Sequence, residues 1–337
     1  MTHQADDRGP RPLTVTVILV IALLLLGALF AGIRLLLSDI AHENGSVDVV
    51  FCRTGDCEAA LLGVFRNASD VRCAFYELDL EPVIAALADA EARVLVFDRN
   101  AREVNGLAVT PVSSKGLMHH KFCVVDGAIV TTGSMNPTRT AQTRNDENLV
   151  VIRSRTLARA YAVEWSILDR RASGRDRKPR VDAPTVDLSG AVVEACFAPA
   201  EGCEASLIGA IDGAQHTVYF MTYSFTSDAV GEALVRAQER GASVEGVFER
   251  RQLDEWSEDD ALRAAGITVR LDGNPGTMHH KAFIIDNVTV VTGSYNPTAN
   301  AAARNDENML IVRDAGLAAS FLAEYARVRS AASPATG

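Results

Sequence analysis

The sequence predicts an α/β fold of two similar lobes paired about a pseudo-twofold axis, preceded by one N-terminal transmembrane helix. Three observations carry this expectation. MHHKFCVVDGAIVTTGSMNPT from Met118 returns as MHHKAFIIDNVTVVTGSYNPT from Met278. Apolar runs with strand character alternate with helical patterns through both copies, the signature of layered α/β structure. Leu13 to Ile33 is an uncharged run of 21 residues.

That run comes first in the chain. At about 1.5 Å per residue it spans a bilayer core of roughly 30 Å. It exceeds the usual core of a signal peptide, and no clear A-x-A site comes after it, so a retained anchor is preferred to a cleaved leader. Residues 1–12 then form a tail and 13–37 the anchor. Arg8 and Arg11 precede the span, while Arg34 is followed by Asp39 and Glu43. This bias places the N-terminus inside and the catalytic part outside, in a single-pass protein of the cell membrane.

The repeat organises the rest of the chain. RNDENLVVIR from Arg144 meets RNDENMLIVR from Arg304 at the same offset of 160 that separates the two long copies. Leu157, Tyr161 and Trp165 likewise meet Leu317, Phe321 and Tyr325 as the apolar face of a closing helix. Upstream, CEAALLG at Cys57 meets CEASLIG at Cys203, an offset of 146. Lobe one therefore covers 45–169, a charged, Pro-containing linker 170–190, and lobe two 191–330. Each reads as strand, helix, strand, helix, strand, hairpin, short helix, strand, helix. VRCAFYELDL, HTVYFMTYSF, ARVLVFDR and ASVEGVFER are the strand candidates; PVIAALADA and SDAVGEALVRAQERG are helical. Lobe two is longer around RRQLDEWSEDDALRAAG, where lobe one has only RNAREVNG.

The chain is 48% hydrophobic, enough for a well-filled core, and carries a formal charge of -10. Beyond residue 37 there are 30 basic against 41 acidic side chains. This acidity argues against a broad grip on a polyanion, although a local basic cleft is compatible with it. Cys52 with Cys57, and Cys196 with Cys203, open the two lobes; local disulfides suit an oxidising compartment, and buried thiols are the alternative. Cys73 and Cys123 are read as core residues.

On a strand, residues two apart share a face, so His119 and Lys121 act as a unit while His120 faces away as a packing group. The Asp126-Gly127 turn folds the chain back and sets Ser134 opposite His119, with Asn136 beyond. Asp286-Asn287 does the same for His279, Lys281, Ser294 and Asn296. Asp126 and Asp286 are given a structural role in these turns. An ammonium beside an imidazole repels a metal cation and suits an anion, so phosphate is the expected ligand, with no metal and no cofactor. Two such clusters brought together can cleave a phosphodiester: one histidine attacks phosphorus while the other protonates the leaving oxygen and then activates water. Glu147 and Glu307, equally spaced from their motifs, are candidates to hold the far ring nitrogens. Trp256, in the lobe-two insertion, is assigned by default to helix packing.

These residues resemble the phospholipase D superfamily, whose motif is HxK, four residues, Asp, six residues, then Gly-Ser-x-Asn. His119, Lys121, Asp126, Gly133, Ser134 and Asn136 match it, as do His279, Lys281, Asp286, Gly293, Ser294 and Asn296. The resemblance covers nearly everything after the anchor. It implies two phospholipase D-like lobes, each a mixed sheet flanked by helices, active together within one monomer. It also implies metal-independent chemistry through a phosphohistidine, with Glu147 and Glu307 orienting the histidines, His119 as nucleophile and His279 as acid. The expected activity is hydrolysis of a phospholipid headgroup ester at a membrane. Alternatives are a metal-independent nuclease acting on DNA, or a phosphatidyltransferase of the cardiolipin synthase kind. A silent scaffold is disfavoured, because neither copy has lost its histidine or lysine.

Overall fold

The computed structural model describes residues 40–175 and 184–335. The expected anchor at Leu13–Ile33 lies outside the described residues. Among those described, no helix is long and apolar enough to cross a membrane.

Lobe one is built on a seven-stranded sheet in the order Ser46–Phe51, Asn148–Arg153, Ile129–Gly133, Lys121–Val125, Val71–Phe75, Arg93–Phe97, Val109–Val112. The first five are antiparallel neighbours and the last three run parallel. The split arises from the connections: a tight turn joins the motif hairpin, whereas parallel neighbours need a crossover, here helix Glu81–Asp89. Lobe two repeats the order with Ala191–Ala198, Glu307–Arg313, Thr289–Gly293, Lys281–Ile285, Thr217–Thr222, Ser243–Phe248 and Thr268–Leu271.

Two expectations need correction. Thr185–Leu188, read as linker, is a strand that pairs antiparallel with Ala191–Ala198, so lobe two begins earlier. Helix Arg155–Ala172 also runs past the expected end of lobe one at residue 169. Strand Val109–Val112 was not expected at all; it is short and contains Pro111, which an edge position tolerates because one side of the strand needs no donor.

Each sheet is covered on both faces, which explains why Lys121–Val125 is buried along its whole length. In lobe one, helices Cys57–Phe65 and Glu81–Asp89 pack on Val71, Phe75, Val94, Val96, Val125 and Val151. The opposite face receives helix Arg155–Ala172, started by the Ser154 hydroxyl accepting from the Leu157 amide and burying Leu157, Tyr161, Trp165 and Leu168. Its counterpart Ala315–Ala331 is capped by Asp314 and buries Leu317, Phe321, Tyr325 and Val328.

Cysteine pairing goes further than the sequence suggested. Cys52–Cys57 and Cys196–Cys203 are disulfides, and so is Cys73–Cys123, corrected here from a pair of plain core residues. The last two sit directly opposite on adjacent antiparallel strands. That pairing is set by sheet register, which a separation of 50 residues hides from local reading.

The closing helices bring the lobes together. Phe51 of lobe one meets Phe321 edge to face at 5.1 Å, and Phe197 of lobe two meets Tyr161 at 4.8 Å. Main-chain bridges run in both directions between Met118 and Asp306 and between Asp146 and Met278. Each motif is therefore approached by a segment hydrogen-bonded to the other lobe.

Candidate active site

His119 enters the site from two residues ahead of strand Lys121–Val125. Its amide donates to the Asp306 carbonyl at 2.9 Å, and the His279 amide donates to the Asp146 carbonyl at 2.9 Å. These bonds carry each histidine into reach of the opposite lobe's glutamate. His119 Nδ1 lies 2.8 Å from Glu307 Oε2, and His279 Nδ1 lies 2.8 Å from Glu147 Oε1. The pairing is thus crossed: the glutamate that comes after each motif by equal spacing orients the histidine of the other lobe. Equal spacing revealed the two carboxylates but not this exchange, because the exchange is made by the lobe interface.

The serines sit differently from the expected arrangement. The hairpin pairs Cys123 with Thr131 and Val125 with Ile129, a register one residue off the expected one, which carries Ser134 opposite His120 and not His119. Fully buried Ser134 donates to Glu147 Oε2 at 2.7 Å, and Ser294 donates to Glu307 Oε2 at 2.7 Å. The preceding glycines are required by closeness: a Cβ on Gly133, at φ +132°, would lie 2.4 Å from the Asn148 carbonyl oxygen.

His119, His279, Asn136 and Asn296 open onto one cleft of about 870 Å³ that both lobes line. Asn136 Oδ1 and Asn296 Oδ1 are buried without a hydrogen-bond partner, so both carboxamides keep polar capacity at the cleft wall. Lys121 and Lys281 lie beneath, each donating to its own motif's histidine carbonyl at 2.7 Å. Tyr76 and Tyr223 complete the floor, edge-on to His119 and His279 at 4.9 and 4.5 Å and facing the two ammonium groups. Sequence reading passed over these tyrosines; they hold matching places after the repeated strands, where self-comparison could have found them.

Further groups hold the frame. His120 bonds Asn308 and Glu164, and His280 bonds Asn148 and Glu324, so this second histidine pair also links the lobes away from the cleft. Arg171 grips Asp306 and Arg327 grips Asp146, fixing the carbonyls that receive the motif amides. Asp126 accepts from the Ser69 and Asp70 amides, and Asp286 from those of Gln215, His216 and Thr217, so both turn aspartates cap distant loops. Both adopt φ of +51°. Trp256 does not pack a helix; it is 71% exposed at the lip of the cleft.

Burial dominates the electrostatics. It lowers His119 to about 4, with Glu307 opposing and Lys121 assisting, and it lowers His279 well below its ordinary value, assisted by Lys281. Both imidazoles are therefore neutral at neutral pH. Burial also lowers Lys121 to about 8 and Lys281 to about 7, the glutamates partly resisting. The two carboxylates part company: burial raises Glu147 to about 7, whereas Glu307 stays below its ordinary value because His119 and Lys121 outweigh its burial. Among the described residues no group of three or more side chains is placed to hold a metal ion.

Known proteins share this outline. The family described as cardiolipin synthase, PLD-like domain matches residues 84–166 and 207–329. A phospholipase D of Rickettsia conorii is 38% identical over 140 residues, covering 41% of this chain and 70% of that protein. The human mitochondrial cardiolipin hydrolase is 35% identical over 129 residues, covering 38% of this chain and 51% of its own length. The crystal structure of phosphatidylserine synthase from Haemophilus influenzae superposes with a TM-score of 0.66 at 12% identity, over 86% of this chain and 87% of that one, a likeness of fold.

Proposed function

Because this chain belongs to the phospholipase D superfamily and is a phosphodiesterase of that type, we propose that it hydrolyses a phospholipid headgroup ester through a phosphohistidine intermediate. The observation that carries this reading is the pair of crossed histidine–glutamate contacts facing one cleft, with two lysines beneath.

His119 is the nucleophile. Ionised Glu307 holds Nδ1–H, keeps Nε2 as the attacking lone pair, and stabilises the cation that forms as the N–P bond is made. The bond from phosphorus to the headgroup oxygen breaks, and that oxygen takes a proton from His279. The His279–Glu147 pair supplies it, since a carboxyl near 7 beside an imidazole lets the two share one proton at neutral pH. Water then loses a proton to His279 and attacks phosphorus. The N–P bond breaks, releasing the phosphomonoester and restoring His119. Lys121, Lys281 and the asparagine amides hold the non-bridging oxygens and neutralise their charge.

The names of the similar phospholipase D and cardiolipin hydrolase support a lipid substrate. The acidity of the chain supports it too, because a nuclease gains from basic surface along the polyanion. Anchoring through 13–33 with the catalytic part outside the cytoplasm belongs to the same proposal, and three disulfides fit an oxidising compartment.

The test is to incubate the protein with phosphatidylcholine vesicles, cardiolipin vesicles and single-stranded DNA, with EDTA throughout. Lipid turnover that His119→Asn and His279→Asn each abolish is the expected result. Cleavage of DNA alone would replace the lipid reading by that of a nuclease.

A further inference from the structure

The repeat sets two histidines in matching places, but the chain ahead of each is held by different groups. Ahead of His119, Asn305 of the opposite lobe ties the run-in to the glutamate. Its Oδ1 accepts from the Leu117 amide at 3.0 Å, and its Nδ2 donates to Glu307 Oε1 at 3.1 Å. Glu307 in turn holds His119 Nδ1, so main chain, carboxamide, carboxylate and imidazole close a ring.

Ahead of His279 that ring is open. Asn145 repeats Asn305, yet its Oδ1 is buried without a hydrogen-bond partner among the described residues, and its Nδ2 reaches Glu147 Oε1 only at 3.4 Å. Glu249 holds this run-in instead. It is 2% exposed; Oε2 accepts from the Met278 amide at 2.7 Å while Oε1 accepts from the Arg251 amide at 3.0 Å. Bonds from backbone amides to a carboxylate are charge-assisted and about twice as strong as neutral ones. Arg251, whose guanidinium lies 3.9 Å from the same carboxylate, donates to the Gly276 and Pro275 carbonyls. Residues 275–278 are therefore gripped on both their donors and their acceptors immediately before His279.

Lobe one puts an apolar ring in that place. Val96 pairs with Phe75 as Phe248 pairs with Thr222, so the residue that repeats Glu249 is Phe97, which stacks on Tyr76 at 5.4 Å. In lobe two, burial and after it the charge of Glu249 raise the Tyr223 hydroxyl above its ordinary value, and Tyr223 is the ring edge-on to His279. Glu249 also opens an arm, residues 249–264, for which lobe one has only the short turn Ala101–Glu103. The arm brings Gln252, Asp254 and Trp256 to the cleft, and its far half is fastened by the Glu258 amide on the Phe225 carbonyl at 3.1 Å. The mount of His279 thus belongs to the segment that lines the cleft, whereas the mount of His119 belongs to the residues around Glu307.

We propose that Glu249 is a positioning residue for His279: through the Met278 amide it holds the imidazole that serves the leaving oxygen, and it links that imidazole to the arm. This rests on the assignment of His279 as acid and deepens it.

The test compares two leaving groups on the full chain in single turnover, with enzyme in excess. Choline leaving phosphatidylcholine needs a proton, whereas nitrophenolate leaving phosphatidyl-p-nitrophenol does not, so only the first reads the acid. Glu249→Gln keeps the size of the side chain but sets an N–H against one of the two amides it accepts from. It should slow choline release by at least about thirtyfold and nitrophenolate release by less than about threefold. Asn305→Ala, which loosens the nucleophile, should slow both releases alike. Equal losses in Glu249→Gln overturn the proposal, being what a general loss of structure gives, and so does no loss in either. Should Glu249→Gln not fold, Glu249→Asp, which keeps the charge and shortens its reach, carries the same comparison. Proton NMR reads the mount without turnover: the His279 Nδ1–H resonance should broaden in Glu249→Gln while that of His119 stays sharp. Broadening of both, or of neither, contradicts the proposal. An unmodified chain that releases neither group ends the hydrolase reading, and the NMR comparison then decides the mount by itself.

Discussion

At the scale of single residues, Glu307 and Glu147 have matched positions and different chemistry. Glu307→Gln replaces an ionised acceptor by a neutral amide and lets His119 take the wrong tautomer; loss of a triad carboxylate in this way costs roughly 10³-fold to 10⁴-fold in kcat. Single-turnover rates with a chromogenic diester check this. Ser134→Ala, which removes the hydroxyl held 2.7 Å from Glu147, should cost roughly tenfold, the worth of one hydrogen bond to a charged group. The pH profile of kcat/KM has a sign fixed by the same environments. His119 attacks only when neutral, so the rate falls as pH drops toward about 4. Lys281 and Lys121 bind phosphate only when charged, so the rate also falls as pH rises through about 7 to about 8. A maximum between these limbs is expected, and a rate still climbing at pH 9 would refute the lysines' role.

At the scale of elements, the hairpins, their turns and the closing helices were legible because each is written in local pattern. Asp126 and Asp286 mark the turns, and Leu157–Tyr161–Trp165 repeats as Leu317–Phe321–Tyr325. What escaped was non-local. The Cys73–Cys123 bridge depends on which strands become neighbours, and Val109–Val112 is an edge strand whose Pro111 disguises it. The exchange of glutamates depends on main-chain bridges between lobes. The disulfide carries its own prediction. Closing a loop of 50 residues, it contributes about 4 kcal/mol by chain entropy. Cys73→Ser with Cys123→Ser should therefore lower the denaturant midpoint of lobe one while leaving the opposite sheet's local protection, read by hydrogen exchange, in place.

For the whole molecule, the repeat has a physical purpose. Neither His119 nor His279 finds its glutamate within its own lobe, so one chain of two lobes makes one site. The arm of lobe two then breaks the symmetry that the repeat creates. The crossed pairing is the claim on which the rest stands, and proton NMR of the imidazoles tests it most directly. A histidine Nδ1–H held by a carboxylate gives a resonance far downfield, and His119→Asn and His279→Asn assign the two signals. Glu307→Gln should then remove the His119 signal and spare that of His279, with Glu147→Gln doing the opposite. Loss of the His119 signal in Glu147→Gln would contradict the shared site.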